Sequence, residues 1–276
     1  LRETSMIDDL YAIEKYAYRE SLVHRLDARI KLLVALAAIV AIVALPYSTK
    51  VYELGAVLFA LFIALWATSR LPPTAYLRRL VLILPFGIFL IGFQVFVKNP
   101  YYDIFHTIAT LPFGIEVYAE SVQFASILLV KFVVSVSFII LLSSTTKMQE
   151  MIEAAGRLGL PREFTLTIGM MVRYIFVFAD MFGRIRTAME TRCFDPLDRT
   201  LPYRYRLHQV GYTVGTIFIR SYEQGERTYT SMLCRGYGAN AGLYIGKKPL
   251  RAGEVVFFAA TLAFIVLSTV LIYLHP

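Results

Sequence analysis

Charge is what this sequence has least of. Asp, Glu, Lys and Arg make up 17% of its 276 residues, whereas 57% are hydrophobic. An average soluble domain carries about a quarter charged residues, so this shortage excludes an ordinary water-soluble domain and sets the chain in lipid. Cysteine is nearly missing too: Cys193 and Cys234 are too few for a disulfide framework. The histidines, His24, His106, His208 and His275, show no close spacing of the HxxxH kind, which argues against a metal site in this chain. No GxxxxGK followed by Ser or Thr occurs, so any ATP, with its Mg, must be held by a partner. The chain is expected to bind no cofactor of its own, to be no enzyme, and to take no nucleic acid.

What is present in quantity is apolar sequence. A spanning helix needs about 20 mostly apolar residues, with a range of roughly 17 to 25. Residues 30–45, 51–67, 80–97 and 255–273 approach that length cleanly, and 121–142 does so with Lys131 near its middle. Five spans are expected. Mostly polar sequence precedes the first, and no small-residue cleavage site follows it, so it does not read as a signal peptide. Lys131 is either a functional flag, as charges in mid-span often are, or a lysine at a helix interface.

Charge placement gives the topology. Lys15, Arg19, Arg25, Arg29 and Lys31 lie before the first span, and Arg70, Arg78 and Arg79 lie after the second. Both groups belong inside by the positive-inside rule. Residues 98–120, with Lys98 against Asp103, Glu116 and Glu120, face outward. The N-terminus is thus expected in the cytoplasm, followed by a cytoplasmic segment over 1–29, four transmembrane helices over 30–142, a cytoplasmic block over 143–253 and a last transmembrane helix over 254–276.

Within the block, Thr146 and Gln149 have capping-box spacing. Met148, Met151, Ile152, Ala155 and Leu158 then recur at helical spacing before Gly159 and Pro161, which predicts a short amphipathic helix. Residues 164–192 and 207–235 are two long runs without proline, separated by Pro196 and Pro202, and each reads as one helix. The two runs share a pattern. Ala188-Met189-Glu190-Thr191-Arg192-Cys193-Phe194 returns as Ser231-Met232-Leu233-Cys234-Arg235-Gly236-Tyr237, and upstream Asp180 and Arg184 return as Glu223 and Arg227. Each acid stands four residues before its arginine, a spacing that lets the pair meet on the helix surface. Each run closes on an arginine at the negative end of the helix dipole.

A terminal arginine can simply cap its own helix. Two matched ones on one helix design point instead to charged plugs, whose planar forks suit two similar sockets. The fold expected is all-α: about five transmembrane helices plus a block of three helices, two of them long and crossed. Gly169, Gly183, Gly211 and Gly215, with Ala179 and Gly225, are expected to let those two approach closely.

The paired arginines resemble those of the transmembrane coupling subunit of energy-coupling-factor (ECF) transporters, the T component or CbiQ/EcfT family. Three further stretches carry the likeness: Leu22-Val23-His24-Arg25-Leu26-Asp27-Ala28-Arg29-Ile30-Lys31-Leu32-Leu33, Gly156-Arg157-Leu158-Gly159-Leu160-Pro161 and Lys248-Pro249-Leu250-Arg251. It covers the chain from about Tyr11 onward. The departures lie in the signature itself, where Thr191-Arg192-Cys193 and Cys234-Arg235-Gly236 keep the arginines and vary the small residues. The glycine stop of the first helix is thereby left open.

The resemblance implies a scaffold in the cell membrane. Two ATP-binding cassette ATPases, carrying ATP and Mg, would sit on Arg192 and Arg235 with their neighbours Thr191, Cys193, Cys234 and Gly236. Asp180, Arg184, Glu223 and Arg227 would support the helices. One membrane-embedded substrate-binding subunit would lie on the platform around Gly169, Gly183, Gly211 and Gly215. Tyr16-Ala17-Tyr18 and the form of the second motif look closer to the cobalt and nickel branch than to the vitamin branch.

Other readings are weaker. Cys193 and Cys234 as soft metal ligands yield to small residues tolerated beside an arginine. A conventional ABC-importer permease is suggested by Glu153-Ala154-Ala155 with Gly159, but the downstream Ile-x-Leu-Pro is missing. A self-sufficient secondary transporter or channel would need paired acids and broken helices in its spans, and these spans are nearly charge-free. Residues 164–182 make a possible sixth span that Arg173 and Asp180 interrupt; they are expected beneath the membrane.

Overall fold

A chain in hydrocarbon must satisfy its own backbone, and these apolar runs do so as helices. The computed structural model describes residues 21–95, 107–111, 115–194, 201–238 and 252–274. The segment containing Tyr16-Ala17-Tyr18 and the stretch Lys248-Pro249-Leu250-Arg251 lie outside them. The helices are α1 (Leu22–Arg25), α2 (Ala28–Ala44), α3 (Lys50–Ser69), α4 (Pro73–Gln94), α5 (Ala119–Thr145), α6 (Met148–Arg157), α7 (Arg162–Thr191), α8 (Tyr203–Cys234) and α9 (Ala252–Leu274). Among the described residues an antiparallel hairpin, β1 (Thr107–Leu111) with β2 (Ile115–Tyr118), leads into α5. The protein is an all-α, multi-pass membrane protein.

Among the described residues five helices are long and apolar enough to cross a bilayer: α3, α4, α5, α7 and α9. They are not quite the five expected. The first expected span, α2, has 17 residues, about 26 Å at 1.5 Å per residue and so at the short limit. Its place among the longest is taken by α7. Helix α4 begins at Pro73, seven residues before its apolar run, because Pro73 suits the first turn of a helix. Arg78 and Arg79 are therefore helical rather than in a loop, and Arg79 Nη1 donates to Ser144 Oγ at 2.7 Å.

Among the described residues the contacts form two compact units, 21–154 with 252–274, and 155–238. In the first, α5 is central and packs on α2, α3 and α4. Ile42, Leu54, Leu58, Ile127 and Phe138 fill its core, all no more than 1% exposed. Glycine allows the closest approaches. A Cβ at Gly55 of α3 would stand 2.6 Å from Val130 of α5, and one at Gly87 of α4 would run into the Phe132 ring, the close packing small residues permit in membranes.

The short α2 explains Lys131. Leu45 precedes Pro46 and is extended at ψ 137°, as residues before proline prefer, which stops the helix and leaves its last carbonyls unpaired. Lys131 Nζ donates to Leu45 O at 2.6 Å and Val43 O at 3.1 Å, with the Tyr47 ring 4.4 Å away. An ammonium at the negative end of a helix satisfies carbonyls that lipid cannot. Of the two roles open to Lys131, the helix-interface role is the one its contacts describe. Lys50 does the same for α9, donating to Tyr273 O at 3.4 Å.

Helix α6 starts one residue later than a capping box at Thr146 requires. Lys147 O takes the first helical bond, from Met151 N at 3.0 Å. Thr146 is instead the extended C-cap of α5, and its buried hydroxyl has no partner among the described residues. The far end of α6 closes as a Schellman motif: Leu160 N reaches Ala155 O at 3.3 Å, and Gly159 adopts φ +119°.

In the second unit α7 and α8 run antiparallel. Tyr174 shares a hydroxyl hydrogen bond with Thr228, and Thr213 Oγ1 reaches Met189 Sδ at 3.3 Å. The close approach expected of the glycines is not what joins them. A Cβ placed at Gly169, Gly183, Gly211, Gly215 or Gly225 would meet nothing within 4 Å. The contact is made by longer side chains, and the glycines stay open.

Candidate functional site

The repeated septapeptide is a repeated helix stop. At the end of α7, Met189 O accepts from Arg192 N and Phe194 N, each at 3.0 Å, while Glu190 O accepts from Cys193 N at 3.0 Å. At the end of α8, Met232 O accepts from Arg235 N and Tyr237 N at 3.0 Å, while Leu233 O accepts from Gly236 N at 2.9 Å. This is the Schellman arrangement, written twice. Each residue type in the motif has a place: Met supplies the double acceptor, Arg is the C-cap, the small residue turns left-handed, and the aromatic follows. Cys193 takes the turn at φ +56° and Gly236 at φ +84°. The stop left open by the missing glycine is therefore made by a cysteine, in a backbone region that costs an L-residue roughly 1–2 kcal/mol.

Because backbone atoms close both helices, the arginine side chains are not spent on capping. Arg192 and Arg235 are exposed, and neither guanidinium makes a hydrogen bond or ion pair among the described residues. Thr191 and Ser231 turn their hydroxyls back onto Ala188 O and Thr228 O, at 3.0 and 2.7 Å. Cys193 and Cys234 are exposed free thiols.

One turn and more upstream, Arg184 meets Asp180 at 2.8 Å and Arg227 approaches Glu223 at 3.9 Å. Exposed i,i+4 pairs of this kind contribute about 0.3–0.5 kcal/mol. The first helix adds a pair the second lacks, Arg186 with Glu190 at 3.0 Å. On α8, Glu223, Glu226, Arg227, Thr230, Ser231 and Cys234 line one open groove. A hydrogen bond to Glu226 holds the Tyr222 phenol above its usual pKa.

Helices α7 and α8 carry exposed apolar side chains. No residue of α8 is buried; Val214, Phe218 and Ile219 are at least 60% exposed, as is Phe164 on α7. Gly156, in one of the stretches that carried the family resemblance, has a role that sequence alone did not assign: a Cβ there would stand 2.7 Å from Thr165 Oγ1, so it permits the tight turn from α6 into α7. Among the described residues no three His, Cys, Asp or Glu gather as a metal site.

The cobalt transport protein family, CbiQ, matches residues 19–243, a span that includes both arginine ends. An uncharacterized protein of Methanocaldococcus jannaschii is 25% identical over 264 residues, 95% of this chain and 85% of that protein. A second uncharacterized protein of that organism is 26% identical over 125 residues, 45% of each. The chain belongs to the CbiQ family of cobalt transport proteins.

Proposed function

We propose that this CbiQ-family chain is the membrane coupling subunit of an ECF-type importer. Two ATPase subunits, which carry the ATP and Mg, attach at Arg192 and Arg235. A separate membrane-embedded subunit binds the substrate and rests on the open faces of α7 and α8, and ATP-driven movement of the helix ends tilts it to release its cargo inward. The cargo is cobalt or nickel ion. The N-terminus and the segment 143–253 are cytoplasmic, with α7 beneath the membrane.

One observation carries this reading: two helices end in the same backbone cap and leave the same arginine exposed and unengaged. Capping needs neither guanidinium, so both are available to a partner. A planar fork at a helix end suits bidentate contact with carboxylates or carbonyls. The open glycines and exposed apolar residues of α7 and α8 suit a second, greasier partner.

Purification of the chain from its native membrane in mild detergent tests the assignment. Two ATPase subunits and a small membrane protein are expected to accompany it. ATPases with a periplasmic binding protein would fit a conventional permease, and no partner at all a secondary transporter or channel. Uptake of cobalt(II) against nickel(II) then identifies the cargo.

A further inference from the structure

The stretch Leu26-Asp27-Ala28-Arg29-Ile30-Lys31 takes no part in the arginine-bearing ends. Asp27 is the N-cap of α2, accepting from Arg29 N at 3.0 Å. That cap fixes the first turn, and from the same turn Lys31 enters the bundle, 8% exposed. Its ammonium donates to Thr145 O at 2.9 Å and to His24 O at 3.0 Å. Its stem lines a cavity of about 30 Å³ with Phe138, Leu141 and Phe257. The charges of Glu150 on α6, Asp27, and Glu254 on α9 act on it. From α2, one ammonium thus bonds the backbone of α1 and the end of α5, within electrostatic reach of carboxylates on α6 and α9.

The place is significant because Thr145 is the last residue of α5, and only Thr146 and Lys147 separate it from α6. Thr146 is extended at φ −131° and ψ 129°. Two residues of non-helical chain form a joint, and how the end of α5 is held decides how α6 leaves it. Lys131 makes the reciprocal contact, from α5 to the end of α2, yet no carboxylate among the described residues acts on it. Lys31 differs in that the charges of Glu150 on α6 and Glu254 on α9 reach it electrostatically. Charge-assisted bonds to carbonyls are stronger than neutral ones, and in an apolar surround their loss leaves those carbonyls unpaired.

We propose that Lys31 is a positioning residue for transport: it stiffens the joint between α5 and α6, so that movement of the coupling helices reaches the membrane bundle instead of being absorbed there. The transport consequence rests on the coupling role proposed above, while the stiff joint does not. The test uses the full chain with its partner subunits in lipid. Lys31→Met keeps the apolar stem and removes the donors. Spin labels at the exposed positions Thr74 and Gln149 report the joint, and cobalt(II) and nickel(II) uptake, each with the metal alone, report transport.

In Lys31→Met the distance distribution is expected to broaden and uptake to fall at least tenfold, while both ATPases co-purify and hydrolyse ATP. An unchanged narrow distribution, or uptake at the parent level, overturns the proposal. If Lys31→Met does not reach the membrane, Glu150→Gln leaves the buried bonds intact. It should lower uptake at least threefold with the ATPases retained, and parent uptake would overturn the proposal equally. A broadened joint in a chain whose parent form binds no ATPase would refute the coupling role alone.

Discussion

Cys193 and Gly236 occupy the same place in two copies of one helix stop, and the difference between them is measurable. A left-handed conformation is free for glycine and unfavourable for any residue with a Cβ. Cys193→Gly should therefore stabilise the chain by about 1 kcal/mol, and Gly236→Val should destabilise it by about 1–2 kcal/mol. Thermal unfolding in detergent checks both, and a loss of stability in Cys193→Gly would contradict the cap geometry. Lys131 offers a second residue-scale test. Lys131→Met leaves the carbonyls of Val43 and Leu45 without their donor, at a cost of about 1–3 kcal/mol for each unsatisfied group. A variant of undiminished stability that fails to transport would favour the functional reading of Lys131 over the helix-interface one.

At the scale of elements, the glycines separate into two kinds that the sequence does not distinguish. Gly55 and Gly87 are pressed against Val130 and Phe132, whereas Gly211 and Gly215 face open space. Overpacking a close contact commonly costs about 1–3 kcal/mol. Gly55→Leu should thus lower the unfolding temperature of the chain. Gly215→Leu should leave it unchanged and weaken capture of the substrate-binding subunit, with the ATPases still attached. Release of the ATPases by Gly215→Leu would show that the platform and the arginine ends have been confused. A small residue marks where helices can meet; which neighbour it meets depends on register and rotation, which composition does not encode.

For the whole molecule, the legible features were those written locally. Apolar runs announced the membrane helices, and proline-free stretches announced α7 and α8. The repeated Met, Arg, small and aromatic order placed both helix ends within a residue, because each Schellman bond joins positions three to five apart. The lysine contacts were invisible for the opposite reason: Lys131 and Leu45 are 86 residues apart, Lys31 and Thr145 114. The start of α4 was missed because Arg78 and Arg79 bound the apolar run at Leu80, although Pro73 suits the first turn of a helix that carries both arginines.

The claim on which this account turns is that Arg192 and Arg235 hold two ATPases. Interface hot spots typically cost about 2 kcal/mol or more on truncation, and each 1.4 kcal/mol or so is tenfold in affinity. Either alanine substitution should weaken attachment at least tenfold, while Arg184→Ala and Arg227→Ala, which lose only exposed pairs, should be tolerated. Two attachments on one scaffold reinforce each other, so the most direct measurement is ATPase co-purification with the Arg192→Glu, Arg235→Glu double variant. The variant chain is expected to reach the membrane, keep its helices and arrive without ATPases. A double variant that retains both at parental stoichiometry and still transports would show that the repeated motif ends two helices and does nothing more.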